Sequence, residues 1–303
     1  MPGMRKLGMD QDYYAWSPIV TRKPLKWPKD ARIAFCLIVA LEHYEFQFKE
    51  GAFVPADVPG GYLGRRPFPD LANYSHREYG NRVGLFRVLE VLDKYGIKAT
   101  AAMDASIAEH YPDVISECKS RDWEIIGHGQ ALTQVITSKM TEEEERAHIK
   151  GVLDTIERNT GSRPLGWWGS EYGESARTPA ILADEGIRYL CDWPNDEQPY
   201  PINVPSASMF SLPIMLEFDD VYAHWNRHVP IDRWERLVTE GFDVMYADGA
   251  GQPRVLAWTI HPWLIGQPFR IGHLDRILDH ILSRAGIWQA TGSEIIDWYA
   301  KTA

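Results

Sequence analysis

Two histidines and a carboxylate in this sequence stand where α/β proteins often keep their reactive groups. Glu42, His128 and His261 each come directly after an apolar run of strand length. The carboxyl ends of parallel strands meet at one edge of a sheet, so these three side chains are expected to converge. Converging imidazoles and carboxylates can exchange protons with a substrate or bind a metal ion.

A metal site at His128 would be recognisable from its spacing. The short motif H-x-x-x-H would place a second histidine at position 132, but that residue is Leu132. The local pattern therefore lacks the second ligand of such a motif.

A further acidic group lies in the loop GWWGSEYGES, residues 166–175, which carries Glu171 among small and aromatic residues. Aromatic and apolar neighbours raise the pKa of a carboxyl group toward values useful in proton transfer. Glu42 and Glu171 are both candidates for the base that would activate a water molecule, and the sequence leaves the choice open.

The elements that would position these residues alternate between strands and helices, which favours a parallel α/β barrel or a doubly wound sheet. Several strands are continuous apolar runs, as expected when both faces of a parallel sheet are covered. Strands are predicted at 33–41, 98–103, 123–127, 187–191, 254–260 and 286–290. Helices are predicted at 79–94, at 142–159 behind a capping box of Thr141 and Glu144, after Thr178 as an N-cap, at 273–284 and at 293–301.

The chain is expected to form one (β/α) domain, residues 31–303, preceded by an irregular arm, residues 1–30. The irregular segment 43–77 is too long for a plain connection and is predicted to be an ordered lid or pocket wall. The tryptophans Trp225, Trp234, Trp263 and Trp298 are predicted to be exposed and available for subunit contacts.

Composition excludes several classes of function. The net charge of −10 argues against binding to nucleic acid or to an anionic membrane surface. No apolar run approaches the 18 residues of a membrane span, and the N-terminus lacks the apolar core of a secretory signal. Three cysteines, widely spaced and odd in number, indicate buried thiols in a reducing compartment. A cytoplasmic location is therefore predicted.

Four segments in this order and spacing resemble the polysaccharide deacetylase superfamily, which has the NodB-homology fold. The resemblance is closest to the branch of metal-independent allantoinases, cyclic imide hydrolases and peptidoglycan deacetylase-like proteins. The segments are EYGNRVGLFRVLEVLDKYGIKAT (78–100), DWEIIGHG (122–129), GWWGSEYGESARTPAILADEGIRYLCDWPNDEQPY (166–200) and TIHPWLIGQPFR (259–270). The resemblance implies a distorted (β/α) barrel that hydrolyses a carbon–nitrogen bond other than a peptide bond.

The same resemblance implies roles for individual residues. His128 occupies the first histidine position of the family's metal motif, and His261 matches the late His-Pro histidine that serves as general acid. The resemblance further implies substrate contacts for residues of the matching segments, namely Glu78, Arg82, Trp168, Asn195, Asp196 and Arg270.

This chain departs from the metal-dependent members at two ligand positions. The aspartate at the end of the first strand aligns with Ala40, and the second histidine is Leu132. Neither residue type ligates a metal, so no cofactor is predicted and His128 is expected to donate a hydrogen bond to a substrate carbonyl or oxyanion. If zinc or another divalent metal binds, His128, His43 and Glu42 are the candidate replacement ligands, with Glu171 close by.

The expected activity is therefore metal-free hydrolysis of a cyclic ureide, imide or related small amide, because strained or electron-poor rings open more readily than a plain acetamide. A metal-dependent polysaccharide or N-acyl deacetylase is the alternative enzyme, and a non-catalytic ligand-binding barrel is an alternative of another class. A small-molecule substrate is expected, and the resemblance implies a homo-oligomer, a tetramer or a dimer.

Overall fold

A long buried strand forms the centre of the fold. In the computed structural model, which describes residues 10–50, 69–205 and 207–302, strand β1 (Ile33–Leu41) is buried at every position. The other strands are β2 (Thr100–Met103), β3 (Glu124–Gly127), β4 (Gly166–Trp167), β5 (Tyr189–Leu190), β6 (Tyr200–Ile202), β7 (Met209–Ser211), β8 (Arg254–Ile260) and β9 (Ile287–Gln289).

The strands form one mixed sheet in the order β6-β7-β5-β4-β3-β2-β1-β8, and β9 pairs with the start of β1. All pairs are parallel except β6 with β7. The sheet curls into a half-barrel surrounded by helices, which confirms the predicted distorted (β/α) barrel.

The two sides of β8 are held in different ways. On one side β8 pairs with β1 along residues 33–39. On the other side a single parallel bridge joins Ala257 to Ile214, just after β7. Near that bridge the indole N–H groups of Trp234 and Trp258 both donate to the carbonyl oxygen of Phe218, at 2.9 and 3.0 Å.

Ten α-helices are found in the described part of the chain, and most follow a strand. They are α1 (Leu71–Tyr79), α2 (Leu85–Lys94), α3 (Ala105–His110), α4 (Pro112–Ser120), α5 (Glu142–Thr160), α6 (Thr178–Asp184), α7 (Ile231–Asp248), α8 (Pro262–Ile265), α9 (Ile271–Leu282) and α10 (Gly292–Thr302). A π-helical turn, Gly80–Gly84, joins α1 to α2.

The predicted capping box at the start of α5 is confirmed. The side chain of Thr141 accepts from the backbone N–H of Glu144, and the Glu144 carboxylate accepts from the N–H of Thr141. Gly161 ends the helix with a left-handed φ of 80°. Because both ends carry local signals, this helix could be bounded from sequence alone.

Several sequence expectations are corrected. The predicted helix at 79–94 comprises the last residue of α1, the π-helical turn and α2. Residues 71–77 of the segment 43–77, which was predicted to be irregular, belong to α1, and residues 51–68 of that segment lie outside the described residues. Thr178 is the first residue of α6 and not its N-cap. Strands β4, β6 and β7, only two or three residues long, and helices α3, α4, α7 and α8 were not predicted. Trp234 and Trp263 are buried, which contradicts their predicted exposure.

Residues 10–30 of the predicted arm contact the barrel at several points. Arg22 forms an ion pair with Asp196 at 2.5 Å, and the buried indole of Trp27 donates to the carbonyl of Arg254 at 2.8 Å. The division at residue 30 remains a prediction. Within the described ranges, no helix has the length and apolar character needed to cross a membrane.

Candidate active site

The candidate site lies at the carboxyl ends of the parallel strands. Glu42 comes directly after β1, His128 after β3 and His261 after β8. Val39 of β1 is in register with Ile260 of β8, so Glu42 and His261 leave neighbouring strands at the same edge. The three candidates named first from the sequence are thus brought together.

The Glu42 carboxylate lies close to three basic side chains. Its Oε1 lies 3.5 Å from Nε2 of His128 and 3.7 Å from Nε2 of His261, and its Oε2 lies 3.0 Å from Nη1 of Arg77. Burial alone would raise the pKa of Glu42, but His261, His128 and Arg77 together lower it to about 2. Glu42 is therefore ionised across the physiological pH range.

His261 is held by a pair of buried aspartates. Its Nδ1 donates to Oδ1 of Asp220 at 2.7 Å, and its backbone N–H lies 3.1 Å from the same carboxylate. Asp219, anchored by the hydroxyl of Thr259, lies 3.8 Å from Nδ1. Burial lowers the pKa of His261, but Asp219, Asp220 and Glu42 outweigh it and raise the pKa to about 10. At neutral pH His261 is an imidazolium that can give up a proton.

His128 is fixed by the loop after β4. Its Nδ1 donates to the carbonyl oxygen of Trp168 at 2.6 Å, which directs Nε2 toward Glu42. The ring centroid of Trp168 lies 4.5 Å from the ring centroid of His128 and 5.9 Å from that of His261. With Nδ1 already donating, Nε2 can donate to Glu42 only when the imidazole carries two protons.

Glu171 enters the same site from that loop on an unusual backbone. Both Glu171 and Tyr172 have left-handed φ angles, 54° and 56°. Burial, with a contribution from the Glu42 charge, raises the pKa of Glu171 to about 8, although Arg77 and His261 act in the opposite direction. Glu171 is therefore mainly a neutral carboxylic acid at pH 7, in contrast to Glu42.

Arg77 is a site residue that the sequence analysis missed. Its guanidinium is buried and lies 4.0 Å from the ring centroid of Trp263. Residue 77 falls in the segment predicted to be irregular, so no helical pattern pointed to it. Arg82, named from the sequence, is exposed on the π-helical turn. Asp219 and Asp220 were also missed; a doublet of acidic residues after Phe218 is the only signal they leave.

Four other predicted substrate contacts occupy different surroundings. Glu78 accepts from the hydroxyl of Tyr111 at 2.6 Å and from Asn81, whose amide also reaches the carbonyl of Glu42. Asn195 accepts from Tyr200 at 2.8 Å, and Asp196 binds Arg22 of the arm. Arg270 lies over Phe269 and 3.5 Å from the carbonyl of Leu264. Of these, Glu78 is linked to the site through Asn81, and the substrate roles of all four remain predictions.

Comparisons with known proteins show which families and structures this chain is similar to. Residues 78–190 match the family model described as polysaccharide deacetylase. A Schizosaccharomyces pombe protein named as a polysaccharide deacetylase is 26% identical over 298 residues, which cover 91% of this chain and 92% of that protein. The crystal structure of PuuE allantoinase superposes with a TM-score of 0.80 at 27% identity, covering 91% of this chain and 93% of the other.

The chain is similar to polysaccharide deacetylases, through the family match at residues 78–190 and through relatives that cover most of its length. These similarities give its enzyme class: it is a hydrolase of carbon–nitrogen bonds other than peptide bonds. The peptidoglycan deacetylase of Helicobacter pylori is a more distant relative, 23% identical over 82% of this chain and 94% of that protein.

The residues at the superfamily's metal positions do not fit a metal ion in this chain. Ala40 and Leu132 are buried and apolar, and His43 directs Nδ1 to the hydroxyl of Tyr111, at 3.3 Å. In the described ranges the candidate ligand atoms that converge belong to Asp219, Asp220 and His261. In that group Nδ1 of His261 already donates to Asp220, and Asp219 accepts from Thr259. The buried guanidinium beside Glu42 also disfavours a second cation there.

Proposed function

We propose that this hydrolase opens a cyclic ureide, imide or related small amide without a metal ion. The observation that carries the proposal is the position of the Glu42 carboxylate between Nε2 of His128 and Nε2 of His261. This arrangement offers an ionised base and a protonated acid within one site, while two family ligand positions are Ala40 and Leu132. The likeness to PuuE allantoinase supports this substrate class.

In the proposed reaction, Glu42 binds a water molecule and takes its proton as the water oxygen bonds to the substrate carbonyl carbon. His261 then donates a proton from Nε2 to the leaving nitrogen as the carbon–nitrogen bond breaks. Glu42 returns the first proton to His261, whose Nε2 lies 3.7 Å from its carboxylate. The cycle adds one water and leaves both groups in their starting states.

The low pKa of Glu42 supports a reactive substrate. A carboxylate with a pKa of about 2 is a weak base, and weak bases assist water attack less effectively. An electrophilic ring carbonyl needs less assistance than a plain acetamide does. The sequence left the base open between two carboxylates, and the opposite pKa shifts favour Glu42 over Glu171.

Two side chains are proposed to stabilise the tetrahedral oxyanion. His128 would donate through Nε2, and neutral Glu171 would donate its carboxyl proton without giving it up. One such donor contributes about 3–4 kcal/mol to the transition state. The backbone N–H of His128 already donates to the carbonyl of Met103 at 3.1 Å, so it is assigned no part in oxyanion binding.

The first test combines metal analysis with a substrate panel. The purified protein would be assayed for bound metals by plasma mass spectrometry and incubated with cyclic ureides, imides and N-acetyl sugars, with and without chelator. We expect ring opening that resists chelation and metal well below one ion per chain. One tightly bound ion per chain and activity lost on chelation would instead support the metal-dependent deacetylase. Tight binding of a panel compound without turnover would support a non-catalytic barrel.

A homo-oligomeric assembly, a tetramer or dimer, and a cytoplasmic location are proposed on the sequence and on the resemblance. Light scattering coupled to size-exclusion chromatography would measure the assembly. A mass equal to the 34.6 kDa chain would exclude stable association.

A further inference from the structure

A second pair of carboxyl groups lies behind the loop that carries Glu171. Glu174 ends this stretch of the loop, and Asp192 follows β5. The two side chains lie close enough that each shifts the pKa of the other. Oε1 of Glu174 and Oδ2 of Asp192 are fully covered and accept no N–H or O–H group within the described part of the chain. Two buried acceptor oxygens can meet favourably only when a proton lies between them.

The other oxygens of the pair hold the loop at two points. Oδ1 of Asp192 accepts from the backbone N–H of Gly169 at 2.7 Å, before Glu171. Oε2 of Glu174 accepts from the indole N–H of Trp193 at 2.9 Å, after Glu171. The pair therefore ties the two ends of the turn that presents Glu171 to the site.

The turn needs such support because its backbone is strained. A non-glycine residue in a left-handed conformation is strained, and two such residues, Glu171 and Tyr172, are adjacent here. Inside the turn, Tyr172 and Gly173 donate backbone bonds to Gly169 and Ser170, both at 2.9 Å. Ser170 also donates from its hydroxyl to the carbonyl of His128.

We propose that Glu174 and Asp192 share a proton and act as a positioning pair, which holds the Gly169–Glu174 turn so that Glu171 stays in the site. The structural part of this inference, the proton-linked hold on Gly169, is independent of the proposed function. Its consequence for catalysis rests on the proposed role of Glu171.

The charged and titratable groups around the pair come from three directions. Glu145 of α5 acts on Glu174 but is itself held by Ser175, Thr178 and Arg177. Tyr172 and Cys191 face Asp192, and burial raises the pKa of both, so they stay neutral below pH 9. No cation of the described residues forms an ion pair with either member of the pair.

The direction of the pH dependence follows from proton linkage. Burial raises the pKa of Glu174 to about 7 and that of Asp192 well above its usual range, whereas in an opened loop both return to ordinary values. The closed loop is therefore most stable at acidic pH, and opening releases protons as the pH rises. Each released proton makes opening about tenfold more favourable per pH unit between pH 5 and 7.

Hydrogen exchange at the amide of Gly169 measures this opening without any substrate. Exchange would be followed by mass spectrometry from pH 5 to 7 and corrected for the chemical exchange rate. The variants Asp192→Asn and Glu174→Gln keep every hydrogen bond of the pair but remove its shared proton. We expect both variants to retain protection of the Gly169 amide at pH 5. In both, the opening equilibrium should rise with pH less steeply than in wild type, by at least a factor of about ten per pH unit.

The exposed Glu143→Gln variant makes the same acid-to-amide change away from the loop and should leave the slope at the wild-type value. Glu171 also titrates upon opening, so the comparison would be repeated with Glu171→Gln in every protein. Equal slopes in wild type and Asp192→Asn would overturn the shared proton. If the slopes differ but Asp192→Asn and wild type have the same kcat and pH profile on an active panel compound, the hold on Gly169 stands and its role in positioning Glu171 is excluded.

Discussion

His261 owes its proton to its immediate surroundings, and this gives a test at the scale of one residue. Removing the Asp220 charge by Asp220→Asn should lower the pKa of His261 from about 10. The alkaline limb of kcat should then move to lower pH, because the acid form is lost earlier. A pH–rate profile on an active panel compound measures the shift. Asp243→Asn, which removes a carboxylate beside the partly exposed His280, is the matched control and should leave the limb in place.

Replacing the proton donor itself should affect turnover more than affinity. His261→Gln is expected to lower kcat by about 10²–10⁴-fold, the usual contribution of a positioned acid or base. Substrate affinity measured by calorimetry should change little, since the proton is transferred only in the transition state. Unchanged kcat in this variant would remove His261 from the proposed reaction.

Arg77 is expected to matter for stability because its charge is buried against Glu42. Arg77→Ala would leave the Glu42 carboxylate without its arginine and should lower the free energy of unfolding by about 3–5 kcal/mol. Arg276→Ala, which breaks an exposed pair with Glu235, should cost at most about 1 kcal/mol. Urea denaturation measures the free energy of unfolding of both variants. Equal decreases would show that the buried pair stabilises the protein no more than the exposed pair does.

The sequence could predict only some of these residues, for a physical reason. Glu42, His128 and His261 follow strands whose apolar runs are easy to see, and parallel pairing then brings them together. Arg77 lies in a helix and Asp220 in a turn, and no hydrophobic periodicity in the sequence predicts either element. Their contribution depends on tertiary packing, which local sequence does not encode.

At the scale of elements, close packing explains the π-helical turn between α1 and α2. A side chain at Gly84 would collide with the carbonyl oxygen of Pro262, and one at Gly80 would come within 2.8 Å of Cβ of Trp263. We expect Gly84→Ala to lower the free energy of unfolding by about 1–3 kcal/mol or more through overpacking.

Gly151 in the middle of α5 is the matched control for that substitution. A Cβ there would meet nothing within 4 Å, so Gly151→Ala should stabilise the protein by about 1 kcal/mol through helix propensity. Thermal unfolding of the two variants should therefore shift in opposite directions. A stabilised Gly84→Ala variant would contradict the close contact between the turn and α8.

Element boundaries were predictable where signals are local. The capping box and the glycine stop define α5, and the long apolar runs define β1 and β8. The strands β4 and β6 have two or three residues, too few for any period to appear. The helix α1 was missed because its buried face carries Asn73 and Arg77 in place of apolar side chains.

For the molecule as a whole, the buried acids predict how stability depends on pH. The raised pKa values of Glu171 and His261 contribute stability that is complete below their ordinary values of 4.5 and 6.5 and is lost as the pH rises toward about 8 and 10. The lowered pKa of Glu42 contributes stability above pH 4.5, which is lost as the pH falls toward about 2. Stability should therefore be greatest in mildly acidic solution.

Free energies of unfolding measured by urea denaturation from pH 4 to 9 would test this dependence. Glu171→Gln should flatten the decline between pH 5 and 8 by up to about 1.4 kcal/mol per pH unit. The exposed Glu143→Gln variant should follow the wild-type curve. A wild-type curve that rises steadily to pH 9 would contradict the buried neutral state of Glu171.

The sparse backbone pairing of β8 on the side of Ile214 affects which substitutions this barrel can tolerate during evolution. Backbone ladders are insensitive to most substitutions, whereas one bridge and two indoles on one carbonyl oxygen depend on residue identity. Asp219 and Asp220 come directly after that carbonyl. The junction between β8 and the chain after β7, here called the seam, therefore lies in the same short stretch as the counter-ions of His261. A single inherited change of Trp234 or Trp258 could loosen the seam and retune the proton donor together.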